Sequence, residues 1–291
     1  MALPAGVLGV HALPADHHDG PWDSVFVPGD LKQRLLRHCV LVLRHGRRLA
    51  QLSGRPHGLV VLVGPPGTGK TTLARGLAQR AALAVAEAGT TTFVEVDPHA
   101  VPSDLLGESQ RAVSRLFAET LPELAARRPH LIVLVDEVEA LAVRRGSASF
   151  DTNPVDVHRA TDAVLAGVDG LRAACPRAVV LATTNFPAAV DEAFLSRADV
   201  VGRMELPDAD TVRRIVEHSL AELVAVWPAA ACVLDDEAAV KETASLLCGL
   251  DGRQVRKAVL SALVTRDEVA ADPTQLTSAD LLTAARTATQ P

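Results

Sequence analysis

The sequence predicts an α/β fold, a parallel β-sheet flanked by helices, followed by a small all-helical domain. Three observations predict it. Four short apolar runs, "HGLVVLVG" (57–64), "TFVEVD" (92–97), "LIVLVDE" (131–137) and "AVVLATTN" (178–185), have the continuous hydrophobicity of strands buried on both faces. Helical patterns over about 70–83, 109–127 and 156–168 alternate with them, as crossover helices must in a parallel sheet. After "RMELP" (203–207) strand signals stop, and from Asp210 onward the chain reads as helices punctuated by Pro228.

Taken in order, residues 1–20 are apolar in part but carry two early prolines and lack a basic n-region, so they read as a flexible tail rather than a secretion signal. Asp30 can cap a helix on which Leu31, Leu35, Leu36, Cys39 and Leu43 recur at helical spacing. The expected domains are an α/β nucleotide-binding domain over 21–206 and a helical lid over 207–291. Within the lid, "DTVRRIVEHSLAELVAV", "DDEAAVKETASLLCG", "RQVRKAVLSALVTRDEVA" and "SADLLTAARTA" each read as a helix.

Composition narrows the function. The 291 residues are 48% hydrophobic, enough for a substantial core and too apolar for a disordered chain. A formal net charge of −6 opposes general binding to nucleic-acid phosphates. The four cysteines, Cys39, Cys175, Cys232 and Cys248, form no CxxC pair, so neither metal spacing nor a disulfide framework is present, and buried thiols in a reducing compartment are expected. No apolar run reaches the ~20 residues of a membrane span. Together these predict a cytoplasmic protein.

The chemistry is concentrated in "GPPGTGKT" (64–71), which follows a predicted strand and opens a predicted helix. In that context G-x-x-x-x-G-K-[ST] is a phosphate loop. Within Gly64, Pro65, Pro66, Gly67, Thr68 and Gly69 the three glycines let the backbone turn tightly with its N–H groups aimed inward, and the helix that follows adds its positive end. Lys70 would reach the β- and γ-phosphates, Thr71 would hold Mg²⁺, and Thr72 continues the cradle. A chance glycine-rich turn would not sit between strand and helix so. Two adjacent acids end the strand "LIVLVDE": Asp136 as a ligand to Mg²⁺ or its waters, Glu137 as the general base on the attacking water. A lone Asp-Glu after a strand would more often be a helix cap; beside a phosphate loop it predicts a nucleoside triphosphatase. Nothing resembles the guanine-reading N-K-x-D, so ATP with Mg²⁺ is expected.

From Trp22 to about Arg286 the chain resembles the AAA+ ATPases. The resemblance implies roles for three more residues. Asn185 of "LATTN" matches the first sensor, which holds the water opposite the γ-phosphate; Arg197 of "VDEAFLSRAD" matches the arginine finger; Arg253 of "GLDGRQVRKA" matches the second sensor. Each arginine has a plain alternative, Arg197 as a helix-end surface residue and Arg253 as a partner of Asp251 or Glu242. A finger acting in trans implies a homo-oligomeric ring, a hexamer. "PSDLLGES" would then be the loop lining its pore, with Leu105, Leu106 and Gly107 gripping unfolded polypeptide rather than packing in the core.

"DEVEALAVRR", "FLSRADVVGRMELP" and "GLDGRQVRKAVLSAL" are similar to the pachytene-checkpoint type, the remodellers of HORMA-domain proteins, whose bacterial relatives accompany nucleotide second-messenger synthases in antiphage operons. The resemblance implies an ATPase that pulls on a HORMA-domain partner and converts its closed form to an open one, with a nucleotidyltransferase in the same pathway. With about twenty residues before Trp22, engagement through the pore face is expected rather than through an adaptor. A general AAA+ unfoldase with another substrate and a nucleic-acid motor are the alternatives. The first usually has an aromatic pore residue and an R-x-G-R-F second arginine, neither of which is here; the second calls for a basic pore.

Overall fold

The structure is a computed structural model that describes residues 3–15, 20–27, 29–98, 108–141 and 154–290. They fall into two compact units. One comprises residues up to 22, 30–64 and 70–203; the other 23–29, 65–69 and 204–291.

The first unit is built on a six-stranded sheet. Its strands are β1 (Val7–Leu13), β2 (Leu59–Val63), β3 (Thr91–Val96), β4 (His130–Val135), β5 (Ala178–Thr184) and β6 (Val200–Arg203), in the order β1-β3-β4-β5-β2-β6. All neighbours are parallel except β1, which runs antiparallel to β3. In β2 both faces are covered: Leu59, Val61 and Val63 join one core cluster, and Val60 and Leu62 between them are equally buried. That is why the central strands read as unbroken apolar runs rather than as alternating ones. Three long helices belong to this unit: α1 (Leu31–Leu49), α2 (Lys70–Ala84) and α4 (Pro154–Ala174), with the shorter α3 (Glu108–Arg115) between. The helix expected over 109–127 is interrupted, passing from α3 through a π-helical turn at Leu116–Thr120 into Leu121–Ala125.

The reading of residues 1–20 as a flexible tail is corrected by β1. Leu13 is fully buried, and the buried Gln79 side chain of α2 clamps the strand's exit, accepting from Ala15 N (3.1 Å) and donating to Ala15 O (2.9 Å). An edge strand needs partners on one side only, and this one carries Gly9, His11 and a register irregularity between Val7 and Gly9. Its apolar signal is correspondingly weak.

The second unit is helical from Ala209 onward and has a core of its own. Its principal helices are α5 (Ala209–Val226), α6 (Glu237–Leu246), α7 (Gly252–Ser261) and α8 (Ser278–Ala288). Side chains at the N-caps satisfy their first turns: Asp208, Asp236, Asp251 and Thr277 each accept from backbone N–H groups, and the last two form capping boxes. Caps of this kind are worth about 0.5–2 kcal/mol each. Arg266 bonds the buried Asp280 through Nε (2.7 Å) and Nη2 (2.8 Å), and that interaction first of all holds the carboxyl well below the usual aspartate range. The lid expected over 207–291 is thus joined in this unit by residues 23–29 and by the middle of the phosphate loop, 65–69. Among the described residues no helix is long and apolar enough to cross a membrane.

Candidate functional site

The candidate site forms at the carboxyl ends of β2, β4 and β5, where a parallel sheet opens a crevice. β2 runs into Gly64, whose N–H donates to Thr184 O at the end of β5 (3.3 Å). Gly67 and Gly69 have φ of 78° and 88°, a left-handed conformation that L side chains resist and glycine accepts. Thr68 Oγ1 closes the turn on Pro65 O (2.9 Å). The chain then enters α2 at Lys70. The Lys70 side chain is buried, and its Nζ donates to Gly64 O at 2.8 Å. A buried ammonium held by a carbonyl at the mouth of a glycine loop is placed to meet a phosphate.

One residue into the helix, Thr71 Oγ1 donates to Asp136 Oδ1 at 2.7 Å. Asp136 follows the last residue of β4, and its Oδ1 also accepts a short bond from Thr183 Oγ1 on β5. The same Thr183 oxygen accepts the N–H of Glu137 at 3.1 Å. Thr183 therefore ties the two acids in place, a role visible only once β4 and β5 are adjacent. Glu137 has φ 54° and ψ 53°, the one positive φ outside glycine among the described residues. A left-handed L-residue costs on the order of 1–2 kcal/mol. Such strain concentrates where a side chain must point in a set direction. Asn185, just past β5, donates from Nδ2 to Glu137 Oε1 (3.1 Å), and its own N–H is held by Glu139 Oε1 (3.1 Å). Thr71, Asp136, Glu137 and Asn185 are thus joined in one hydrogen-bonded chain.

Arg197 lies apart from that chain. It follows the short helix Glu192–Ser196, and all three guanidinium nitrogens are engaged: Nε and Nη2 reach Asp169 Oδ2 at 3.2 Å each, and Nη1 caps Ala193 O at 2.9 Å. In the second unit Arg253 is the second residue of α7. Its N–H donates to Asp251 Oδ1 (2.8 Å) and to Gly67 O (3.2 Å), while its side chain is exposed. Glu242, the other partner weighed for it, pairs instead with Arg286 at 2.9 Å. Leu105, Leu106 and Gly107 lie outside the described residues.

Residues 60–206 match the family described as ATPase family associated with various cellular activities (AAA). The chain is 41% identical over 288 residues to CD-NTase-associated protein 6 of Pseudomonas aeruginosa, covering 99% of this chain and 94% of that one. It is 34% identical over 219 residues to the pachytene checkpoint protein 2 homolog of Arabidopsis thaliana, covering 73% of this chain and 46% of the relative. It therefore spans about half the length of that relative. In fold it is similar to C. elegans PCH-2 (TM-score 0.77, 24% identity, 99% of this chain and 76% of that one). It is likewise similar to a chain of the E. coli MS115-1 HORMA:CdnC:Trip13 complex (TM-score 0.76, 20% identity, 97% and 95%).

Proposed function

The chain belongs to the AAA ATPase family, and from that premise we propose that it forms a hexameric ring in the cytoplasm and uses ATP to remodel a HORMA-domain protein. The observation that carries the proposal is the 41% identity, over nearly the whole of both chains, to a protein named for its association with a CD-NTase. A nucleotidyltransferase of that kind is the expected neighbour in the pathway, and opening of the closed HORMA form is the expected output, within a bacterial antiphage system.

The residues divide the work as follows. The backbone from Gly64 to Gly69 cradles the phosphates, with Lys70 on the β- and γ-oxygens and Thr72 behind it. Thr71 Oγ1 and Asp136 Oδ1, 2.7 Å apart, are hard oxygen donors of the type Mg²⁺ takes. When bound, Mg²⁺ neutralises charge that builds on the phosphate oxygens. Glu137 accepts the proton of a water whose oxygen bonds to the γ-phosphorus while the bond to the β–γ bridging oxygen breaks, leaving ADP and phosphate. Asn185 orients that water and the Glu137 carboxylate together. Arg197 of a neighbouring subunit stabilises the charge on the departing γ-phosphoryl group, and Arg253 does so from the lid. Leu105, Leu106 and Gly107 would grip the substrate in the pore, each leucine contributing about 1.5–3 kcal/mol when covered.

The test is to add a HORMA-domain protein from the source organism to the purified ATPase. Stimulated ATP turnover, and a stable complex with the Glu137→Gln variant in ATP, are expected. Turnover indifferent to that protein, with no complex in either nucleotide state, would send the substrate assignment back to a general unfoldase.

A further inference from the structure

Arg197 pairs with one carboxylate, Asp169, and stands two residues before another, Asp199; neither takes part in the phosphate chemistry. Asp169, on α4, receives two guanidinium nitrogens at 3.2 Å and is itself 3.9 Å from His57 Nε2. Asp199, two residues beyond Arg197, has a side chain only 13% exposed and takes four donors. His57 N lies 2.8 Å from Oδ1; Gly58 N (2.6 Å), Leu59 N (3.1 Å) and His38 Nε2 (3.4 Å) converge on Oδ2. The turn is fastened in the other direction too, because Asp199 N donates to Leu59 O at 2.9 Å. Leu59 is the first residue of β2, the strand that ends five residues on at the phosphate loop. Gly58 makes this approach possible: its φ is +71°, and a Cβ there would meet Ala178 O at 2.6 Å.

A largely buried carboxylate that draws three consecutive backbone N–H groups fixes the backbone around it, since without it those donors would lose their acceptor. The turn so fixed is the one that carries Arg197, and its guanidinium is then aimed by Asp169. We infer that Asp199 and Asp169 are positioning residues for Arg197, Asp199 mounting the finger-bearing turn on the first residue of β2 and Asp169 orienting the guanidinium. The inference rests on the reading of Arg197 as a finger that serves the neighbouring subunit.

Complementation tests it. Asp199→Asn keeps the volume but replaces one acceptor oxygen with an amide, and is expected to lower ATP turnover about 10- to 100-fold with KM for ATP unchanged. Glu137→Gln subunits are inactive but still offer an intact Arg197. Co-expressed with Asp199→Asn subunits, they should restore turnover, as they should with Arg197→Ala subunits. A fold defect or a role in the subunit's own site would give no such recovery. Recovery with Arg197→Ala but not with Asp199→Asn overturns the inference and leaves the finger reading standing. Recovery with neither overturns the finger reading and the inference with it. Asp169→Asn, at a half-exposed position, is the second variant should Asp199→Asn fail to fold; it should complement in the same way with a smaller initial loss, and its failure to complement where Arg197→Ala succeeds counts equally against the inference.

Discussion

The two ends of β2 differ in how their polar groups are met. At the amino end Asp199 accepts from three backbone N–H groups and lies 3.4 Å from His38 Nε2. At the carboxyl end Lys70 bonds a loop carbonyl and Thr71 bonds Asp136, contacts that a phosphate or a hard cation could replace with stronger ones. Asp136 and Glu137 stand there side by side, with Glu137 in a strained backbone conformation. One end is finished as structure. The other is held ready for a ligand, and the strand between them is buried throughout.

The difference can be broken or sharpened by substitution. Lys70→Ala should abolish nucleotide binding while leaving thermal stability nearly unchanged, measured by titration with a fluorescent ATP analogue; tight binding retained would remove the phosphate-loop assignment. Glu137→Gln should bind ATP normally and hydrolyse it about 10²- to 10⁴-fold more slowly in single-turnover assays. Normal hydrolysis would move the base elsewhere. At the amino end the cost of a core substitution should fall on stability instead. Leu59→Ala, at a position with 0% exposure, should destabilise the first unit by about 2–5 kcal/mol in chemical denaturation. A cost under 1 kcal/mol would mean that this end is not the rigid one.

The smallest effect concerns pH. Burial works to raise the Asp199 carboxyl, but the hydrogen bonds from His38 and from the His57 and Gly58 amides outweigh it and hold the group below its ordinary value of 3.8. A carboxyl depressed in the folded state contributes stability that is present above the unfolded value and lost as pH falls through the folded one. Wild type should therefore lose stability below about pH 4 more steeply than Asp199→Asn, as read from melting temperatures across an acid series. Parallel curves would place Asp199 in an ordinary solvated setting.

The sequence made one end far more legible than the other. The phosphate loop, Asp136 and Glu137 are fixed by local spacing and by the apolar runs before them, and such patterns survive without tertiary information. The four central strands are legible for the same reason, each being covered on both faces. The edge strand β1 was not, because Gly9, His11 and an exposed Leu8 dilute its pattern. Thr183 stood in plain view within "LATTN", yet its bonds to Asp136 and Glu137 exist only through the pairing of β4 with β5. Asp199 reaches across some 140 positions to bind Gly58 and Leu59, a contact that no window of sequence contains. Asp169 likewise meets Arg197 only in the folded unit. The lid segments read as helices from sequence, and the structure adds their caps, Asp208, Asp236 and Asp251, each standing one residue before a helix.

The central claim is that a nucleotide held by one subunit is cleaved with the help of Arg197 from the next. It is tested most directly by co-assembling Arg197→Ala subunits with Glu137→Gln subunits, each inactive alone, and following ATP turnover. A finger given in trans is worth about 10³–10⁵ in rate, so a site that keeps its own Glu137 and borrows Arg197 from a Glu137→Gln neighbour should turn over, and activity should reappear far above that of either pure variant. Mixed rings that stay as inactive as the two pure variants at every proportion would put Arg197 in its own subunit's site and contradict the account.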